Sequence, residues 1–173
     1  VDPHLHRHPS LEEVYSIPTR VVRAAPAIAH WVRTHLPHPL LIGPDRESEQ
    51  WVAAVAAEAG APHLILEKIR HGDREVEISL PMADQWRDRT PVLVDDIISS
   101  AGTMIEAVGQ VRRAGLAPPV CIGVHAVFAD RAYADLLASG AAQVLTCNTI
   151  PHESNRIDVG DLLAEGVSAL FAP

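Results

Sequence analysis

Two adjacent aspartates stand directly before a turn of small and hydroxyl-bearing residues in the segment Val92–Met104, VLVDDIISSAGTM. Asp95 and Asp96 end a short apolar run. Carboxylates placed there can accept hydrogen bonds from sugar hydroxyls or bind Mg²⁺, which prefers oxygen ligands. Three hydroxyl side chains that can donate to phosphate oxygens follow: Ser99, Ser100 and Thr103. The segment therefore predicts a site for a sugar that carries a phosphate at one end.

The turn itself is typical of an anion cradle. Ala101 and Gly102 are small enough for backbone N–H groups to converge on a phosphate, and the helix predicted from Thr103 adds its positive end, about half an elementary charge. The nucleoside triphosphate loop GxxxxGK[ST] is missing from the chain. The competing interpretation is a strand that ends in a solvated acid pair beside a helix cap.

Alternating strands and helices must position this turn. Short apolar runs predict strands over 39–43, 63–68, 91–96, 119–128 and 143–147. Apolar spacings of three and four predict helices in the second half of 21–36, beginning near Pro26, and over 47–59, 103–115, 130–139 and 158–170. The charged stretch 69–77 predicts a loop or an exposed hairpin. This alternation predicts an α/β fold with a parallel sheet covered by helices, with ligands bound at the carboxyl ends of the strands.

Length and charge limit the classes of function. A chain of 173 residues with 47% hydrophobic residues fits one globular domain. Its 14 basic and 22 acidic residues give a net charge of −8, which argues against binding nucleic acid or anionic lipid through charge alone. The sequence has neither a long apolar run nor a basic leader, so we expect a cytoplasmic protein without a membrane partner.

Cysteine and histidine side chains outside the turn have simpler interpretations. Cys121 and Cys147 fit no paired spacing, so we expect two buried thiols rather than a disulfide or metal ligands. His125 is predicted to be a strand residue that finds a hydrogen bond, with a role near the ribose as the alternative. His152, beside a proline, has no assigned role.

The chain opens on VDPHLHRHPS, in which His4, His6 and His8 alternate. In an extended segment these three side chains would share one face and could attract a transition metal, although a loop or subunit contact is the favoured interpretation. Because the first residue is Val1 rather than methionine, we expect a truncated or processed chain.

The turn segment resembles the phosphoribosyl diphosphate motif of type I phosphoribosyltransferases. It resembles more closely the motif DDIIDTAGT of the ribose-phosphate pyrophosphokinases. Further segments are similar to pyrophosphokinase motifs in the same order: VDPHLHRHPS to DLHAxQ, GPDRESE (Gly43–Glu49) to SPDxGG, LEKIR (Leu66–Arg70) to DKxR, VHAVFA to THGVFS and CNTIPH to TxTIP. Together they cover nearly the whole chain, and the resemblance implies a type I phosphoribosyltransferase-like fold.

The resemblance also implies a role for each matching residue. Asp95 and Asp96 would face the ribose of ribose 5-phosphate. Its 5-phosphate would lie among Ser99, Ser100, Ala101, Gly102 and Thr103. Asp45 would help to hold Mg²⁺ with ATP, within a pyrophosphate loop formed by Asp45, Arg46, Glu47 and Ser48. Lys68 and Arg70 would be the catalytic cations at the root of a flexible loop.

The implied reaction is transfer of pyrophosphate from ATP to ribose 5-phosphate, which gives phosphoribosyl diphosphate and AMP, in a homo-oligomer. Members of that family are built from two similar halves, and this chain resembles the C-terminal half. We therefore expect a fragment that binds ribose 5-phosphate but is inactive alone. Two alternatives remain: a catalytically silent regulatory homologue, suggested by Glu47 and Ser48 in place of paired glycines, and a stand-alone type I phosphoribosyltransferase.

Overall fold

The computed structural model describes residues 1–5, 10–66, 69–71, 75–77 and 83–171. Six strands form one parallel sheet: β1 (Pro39–Gly43), β2 (His63–Ile65), β5 (Thr90–Ile98), β6 (Val120–Ala126), β7 (Gln143–Cys147) and β8 (Asn155–Ile157). Their order across the sheet is β2–β1–β5–β6–β7–β8. A separate antiparallel pair consists of β3 (Ile69–His71) and β4 (Glu75–Glu77). The strand β5 thus lies in the middle of the sheet, with a neighbour on each side.

Five α-helices occur in the described ranges: α1 (Ala25–His35), α2 (Glu49–Ala59), α3 (Gly102–Arg113), α4 (Ala132–Ala138) and α5 (Gly160–Phe171). Pro26 lies in the first turn of α1, where a missing N–H costs no intrahelical hydrogen bond. Gly60 ends α2 in the left-handed conformation, with φ of 63°. No helix in these ranges is long and apolar enough to cross a membrane.

Buried side chains alternate between the two faces of the sheet. Leu41, Val92 and Val94 face α1 and α2, whereas Leu40 and Leu93 face α3 and α4. Successive strand residues point to opposite faces, so covering both faces makes every position of the run apolar. Complete burial of each Leu or Val contributes about 1.5–3 kcal/mol relative to its exposure. This packing holds β5 firmly up to the residues where its carboxylates begin.

The predicted α/β fold with a helix-covered parallel sheet is confirmed, and the stretch 69–77 contains the expected hairpin strands. Several boundaries differ from expectation by one to three residues: the predicted strand over 63–68 ends at Ile65, and the helices predicted over 47–59, 103–115 and 130–139 are Glu49–Ala59, Gly102–Arg113 and Ala132–Ala138. The predicted strand over 91–96 extends to Ile98, because its carboxyl end continues to pair with β6. The predicted strand over 119–128 stops at Ala126, and the predicted closing helix begins at Gly160 because the short edge strand β8 precedes it.

Candidate functional site

The acid pair lies at the carboxyl edge of the sheet, between β1 and β6. In the pairing of β5 with β6, Asp95 is opposite Gly123 and Ile97 is opposite His125. β5 is longer than the strands at the two edges of the sheet, so its last residues extend beyond the ends of those strands. This is the edge at which parallel sheets of this type bind ligands.

An open cavity of about 150 Å³ lies beside the end of β5, lined by Asp95 and by residues 97–104. A water molecule occupies about 30 Å³ in the liquid, so the cavity has room for a phosphate group. Its lining contains the three hydroxyl-bearing side chains predicted from sequence, Ser99, Ser100 and Thr103, all of which are exposed. The structure therefore brings the predicted acid and the predicted phosphate donors to one cavity.

The β5–α3 turn (residues 99–101) has a backbone suited to an anion. Ala101 has a left-handed conformation with φ of 61° and caps α3, whose first amides have no acceptor within the helix. The Gly102 amide reaches only the Ser100 hydroxyl, at 3.5 Å. The Ala129 amide donates to the carbonyl of Ser99 at 3.1 Å, which fixes the start of the turn. Convergent amides, hydroxyls and a helix start can hold an oxyanion.

Asp95 and Asp96 lie on opposite faces of β5, although they are adjacent in sequence. Asp95 lines the cavity, whereas Asp96 is 5% exposed and faces the N-terminal segment. The alternation of strand side chains explains the separation. Burial, together with the negative charges of Asp96 and Asp45, raises the pKa of Asp95 from 3.8 to about 7. At neutral pH the cavity carboxyl can therefore donate or accept a proton.

His4 contacts the second aspartate from the N-terminal segment (residues 1–5). Its Nδ1 atom forms a short hydrogen bond with Oδ2 of Asp96, and the Asp96 side chain is only 8% exposed. Sequence reasoning assigned His4 to a loop, a subunit contact or a metal. The sequence held one indication of this contact. The opening segment resembles the DLHAxQ motif, and the pyrophosphokinases have that motif together with the aspartate turn.

The β1–α2 loop (residues 44–48) contains the predicted pyrophosphate-binding residues. Oδ1 of Asp45 accepts hydrogen bonds from the amides of Glu47 at 3.0 Å and Ser48 at 3.1 Å. The Ser48 hydroxyl donates to the Asp45 carbonyl at 2.6 Å, and Ser48 is buried. Arg46 and Glu47 are exposed. Two amides that could bind pyrophosphate are therefore occupied by the loop's own carboxylate.

Other predicted residues are described in part. Lys68, His6 and His8 lie outside the described residues, and Arg70 lies on β3 opposite Val76. The roles predicted for Lys68 and Arg70 stay predictions. Within the described ranges, no group of three or more His, Cys, Asp or Glu side chains could hold a metal ion.

Cys121 and Cys147 are free and buried, as expected. Burial raises the pKa of both thiols to about 12, and the negative charge of Asp2 adds to the effect at Cys147. Neither thiol therefore carries the charge that a nucleophile needs at neutral pH.

Two histidines near the carboxyl edge have contacts that the sequence did not specify. His125 is hydrogen-bonded, as expected, but one partner is Thr149 and the other is the backbone of the N-terminal segment. His152 packs against Phe128 and Tyr133, with ring centroids 4.7 and 5.0 Å away. These partners are far apart in sequence, so only the fold could reveal them.

Comparison with known proteins agrees with this geometry. The model of the phosphoribosyl transferase domain family matches residues 10–162. Ribose-phosphate pyrophosphokinase from Sulfurisphaera tokodaii is 32% identical over 158 residues, which are 89% of this chain and 54% of that protein. The enzyme of the same name from Methanopyrus kandleri is 31% identical over 164 residues, or 94% and 56% of the two chains. The chain thus spans about half the length of the curated relatives it matches.

Solved structures share the fold. Phosphoribosylpyrophosphate synthetase from Mycobacterium smegmatis superposes with a TM-score of 0.70 at 24% identity, over 86% of this chain and 50% of that chain. APRTase from Giardia lamblia superposes with a TM-score of 0.53 at 17% identity, over 79% and 83% of the two chains. At these identities the likeness concerns the sheet and its helices.

Proposed function

The chain belongs to the phosphoribosyl transferase domain family, and from this premise we propose that it supplies the ribose 5-phosphate half of a ribose-phosphate pyrophosphokinase. In this function the sugar phosphate binds at the carboxyl edge of the sheet. The pyrophosphokinases at about 30% identity support the choice over other members of the family.

The observation that carries the proposal is the cavity beside Asp95. The 5-phosphate would occupy the β5–α3 turn, where the Gly102 and Thr103 amides at the start of α3 can donate to its oxygens. The ribose would extend toward Asp95, whose carboxyl group can accept from ring hydroxyls. Hydrogen bonds to a charged group contribute about 1.5–3 kcal/mol each. Two such bonds to the phosphate would therefore make the affinity for ribose 5-phosphate clearly higher than that for ribose.

In the proposed reaction the C1 hydroxyl of ribose 5-phosphate attacks the β-phosphorus of ATP. The new O–P bond forms as the bond from the β-phosphorus to the bridging oxygen breaks, AMP leaves with that oxygen, and the hydroxyl proton passes to water. Lys68 and Arg70 would stabilise the charge on the transferring oxygens. If the loop closes over bound substrate, as the resemblance implies, these cations would also exclude water.

Mg²⁺ is part of the proposal as the ion that accompanies ATP. The donor set fits, because Mg²⁺ is commonly held by one or two carboxylates together with substrate phosphates. Asp45 is partly exposed, and its negative charge acts on Asp95, so two carboxylates lie near one another at this edge. The ion would neutralise phosphate charge, and we propose Asp45 as its protein ligand.

Isothermal titration of the 173-residue chain with ribose 5-phosphate tests the site. We expect binding that neither ribose nor inorganic phosphate matches at the same concentration. Asp95→Asn should weaken binding by about tenfold or more, the loss of one charge-assisted hydrogen bond. Asp88→Asn, an exposed aspartate, is the control for lost charge. Unchanged affinity in Asp95→Asn would discredit the site.

The occupied amides of the β1–α2 loop favour a second candidate, a catalytically silent regulatory homologue. The two functions differ in turnover. We expect the 173-residue chain to form no AMP from ATP, ribose 5-phosphate and Mg²⁺. A longer protein that includes a second, similar half should form AMP if it is a synthase. Binding of ribose 5-phosphate without AMP formation by that longer protein would favour the regulatory candidate.

A further inference from the structure

The N-terminal segment is tied to the start of α1 through Asp2. The Asp2 amide donates to the carbonyl of Val22 at 2.9 Å, and its Oδ2 atom accepts from the amide of Ala24 at 2.6 Å. Asp2 is 1% exposed, and Arg23 lies 3.3 Å from its other oxygen. An aspartate so buried and bonded fixes the backbone of the segment where it crosses the sheet edge.

A second tie comes from β6. The Nε2 atom of His125 lies 3.2 Å from the backbone carbonyl of Asp2. Because a carbonyl only accepts, His125 must carry its proton on Nε2 to bond there. The ring is oriented by Thr149, whose hydroxyl lies 2.9 Å from Nδ1 and 2.8 Å from the carbonyl of Val124; with the ring proton on Nε2, the single hydroxyl proton serves one of these two acceptors at a time. The ring thus joins the end of β6 to the residue that anchors the segment.

These ties determine where His4 lies. His4 follows Asp2 by two residues, and its Nδ1 atom bonds to Asp96 on the face of β5 opposite the cavity. An Nδ1–H of His4 that donates to Asp96 offsets part of the negative charge of that carboxylate. That charge also acts on Asp95, so the contact changes the electrostatic potential at the cavity. Loss of the tie would therefore expose an anionic ligand to more repulsion.

We propose that His125 is a positioning residue: through the Asp2 carbonyl it holds the N-terminal segment so that His4 stays on Asp96 and the cavity remains suited to an anion. Its effect on ligand binding rests on the proposed function. Its effect on the segment does not, because that effect needs no substrate.

Two substitutions at one position separate this role from general packing. The side chain in His125→Gln is long enough to place an amide N–H near the position of Nε2. The side chain in His125→Asn reaches only to the position of Nδ1, so it keeps the Thr149 contact and loses the bond to Asp2. Thr149→Val leaves the ring but removes the hydroxyl that orients it. Thermal unfolding of each variant checks that the fold is kept.

Amide hydrogen exchange at Ala24, measured by NMR without substrate, reports the tie. We expect exchange about fivefold faster in His125→Asn, the effect of one lost hydrogen bond, and within about twofold of wild type in His125→Gln. Thr149→Val should change exchange in the same direction by a smaller factor. The Val94 amide, deep in β5, should be unaffected in all three variants. Equal exchange at Ala24 in the Asn and Gln variants would overturn the proposal.

The affinity for ribose 5-phosphate is the second measurement. A change in packing alone would not alter this affinity. His125→Asn should bind about fivefold more weakly than wild type, and His125→Gln should restore the affinity. Unchanged affinity in His125→Asn beside faster exchange would overturn the positioning role while leaving the proposed function intact. Failure of the wild-type chain to bind ribose 5-phosphate would refute the proposed function, and the exchange results would still decide whether His125 holds the segment.

Discussion

Asp95→Asn should make the ligand-free protein more stable at pH 8 while it weakens ribose 5-phosphate binding. The structure buries most of the Asp95 carboxyl group and surrounds it with the charges of Asp96 and Asp45, which raises its pKa from 3.8 to about 7. An asparagine resembles the protonated acid in shape and carries no charge. The substitution therefore removes a charge that the folded state disfavours.

The magnitude and the sign follow from proton linkage. Between pH 3.8 and about 7 the folded chain keeps the Asp95 proton and the unfolded chain has lost it, so the free energy of unfolding falls as the pH rises. A shift of about three pKa units corresponds to about 4 kcal/mol as an upper limit. Because the cavity is open to water, we expect about 2–3 kcal/mol. This contribution is complete below pH 3.8 and lost above about pH 7.

Urea unfolding at pH 4 and pH 8 measures the effect. The Asn variant should equal wild type near pH 4 and exceed it by about 2–3 kcal/mol at pH 8. Asp88→Asn, which removes the same charge from an exposed position, should change stability by less than about 0.5 kcal/mol at either pH. A difference between Asp95→Asn and wild type that is the same at both pH values would refute the reasoning.

Two further predictions concern packing next to the site. Cys121 and Cys147, both buried with pKa values of about 12, should not react with a thiol reagent at pH 8 until urea unfolds the chain; rapid reaction of the native protein would contradict the burial. Gly123→Ala would place a methyl group 2.8 Å from the side chain of Ile98, and should cost about 1–3 kcal/mol in urea unfolding. Combining it with Ile98→Ala should cost less than the sum of the single changes, and strict additivity would show that the two do not touch.

The sequence predicted the sheet well because its central strands are covered on both faces. Such strands are continuous apolar runs, and β1 and β7 have the same bounds as the runs at 39–43 and 143–147. The short strand β8 was missed because its sequence, Asn-Arg-Ile, carries no periodic apolar signal. Its pairing with β7 depends on side chains such as Asn155, which bonds to the Cys147 carbonyl.

The site was predictable where one segment contains it and not where it joins distant segments. Asp95 and the turn that follows lie within a few residues, so their types and spacing predicted the cavity lining. Adjacent aspartates were predicted to act together, but the alternation of β5 places Asp96 on the other face. The tie from His125 to Asp2 spans 123 positions, and no local pattern encodes such a contact.

The left-handed residue in the cavity lining has a consequence for how a ligand would bind. Ala101, which is 5% exposed, holds φ of 61°, a conformation that costs an alanine about 1–2 kcal/mol. Its carbonyl accepts from the Ile105 amide at 2.8 Å, so the first turn of α3 shares in maintaining it. The backbone of the β5–α3 turn therefore has its binding conformation before a ligand arrives. Ordering this turn then costs little conformational entropy when the complex forms. Calorimetry should accordingly report association with a small entropic penalty.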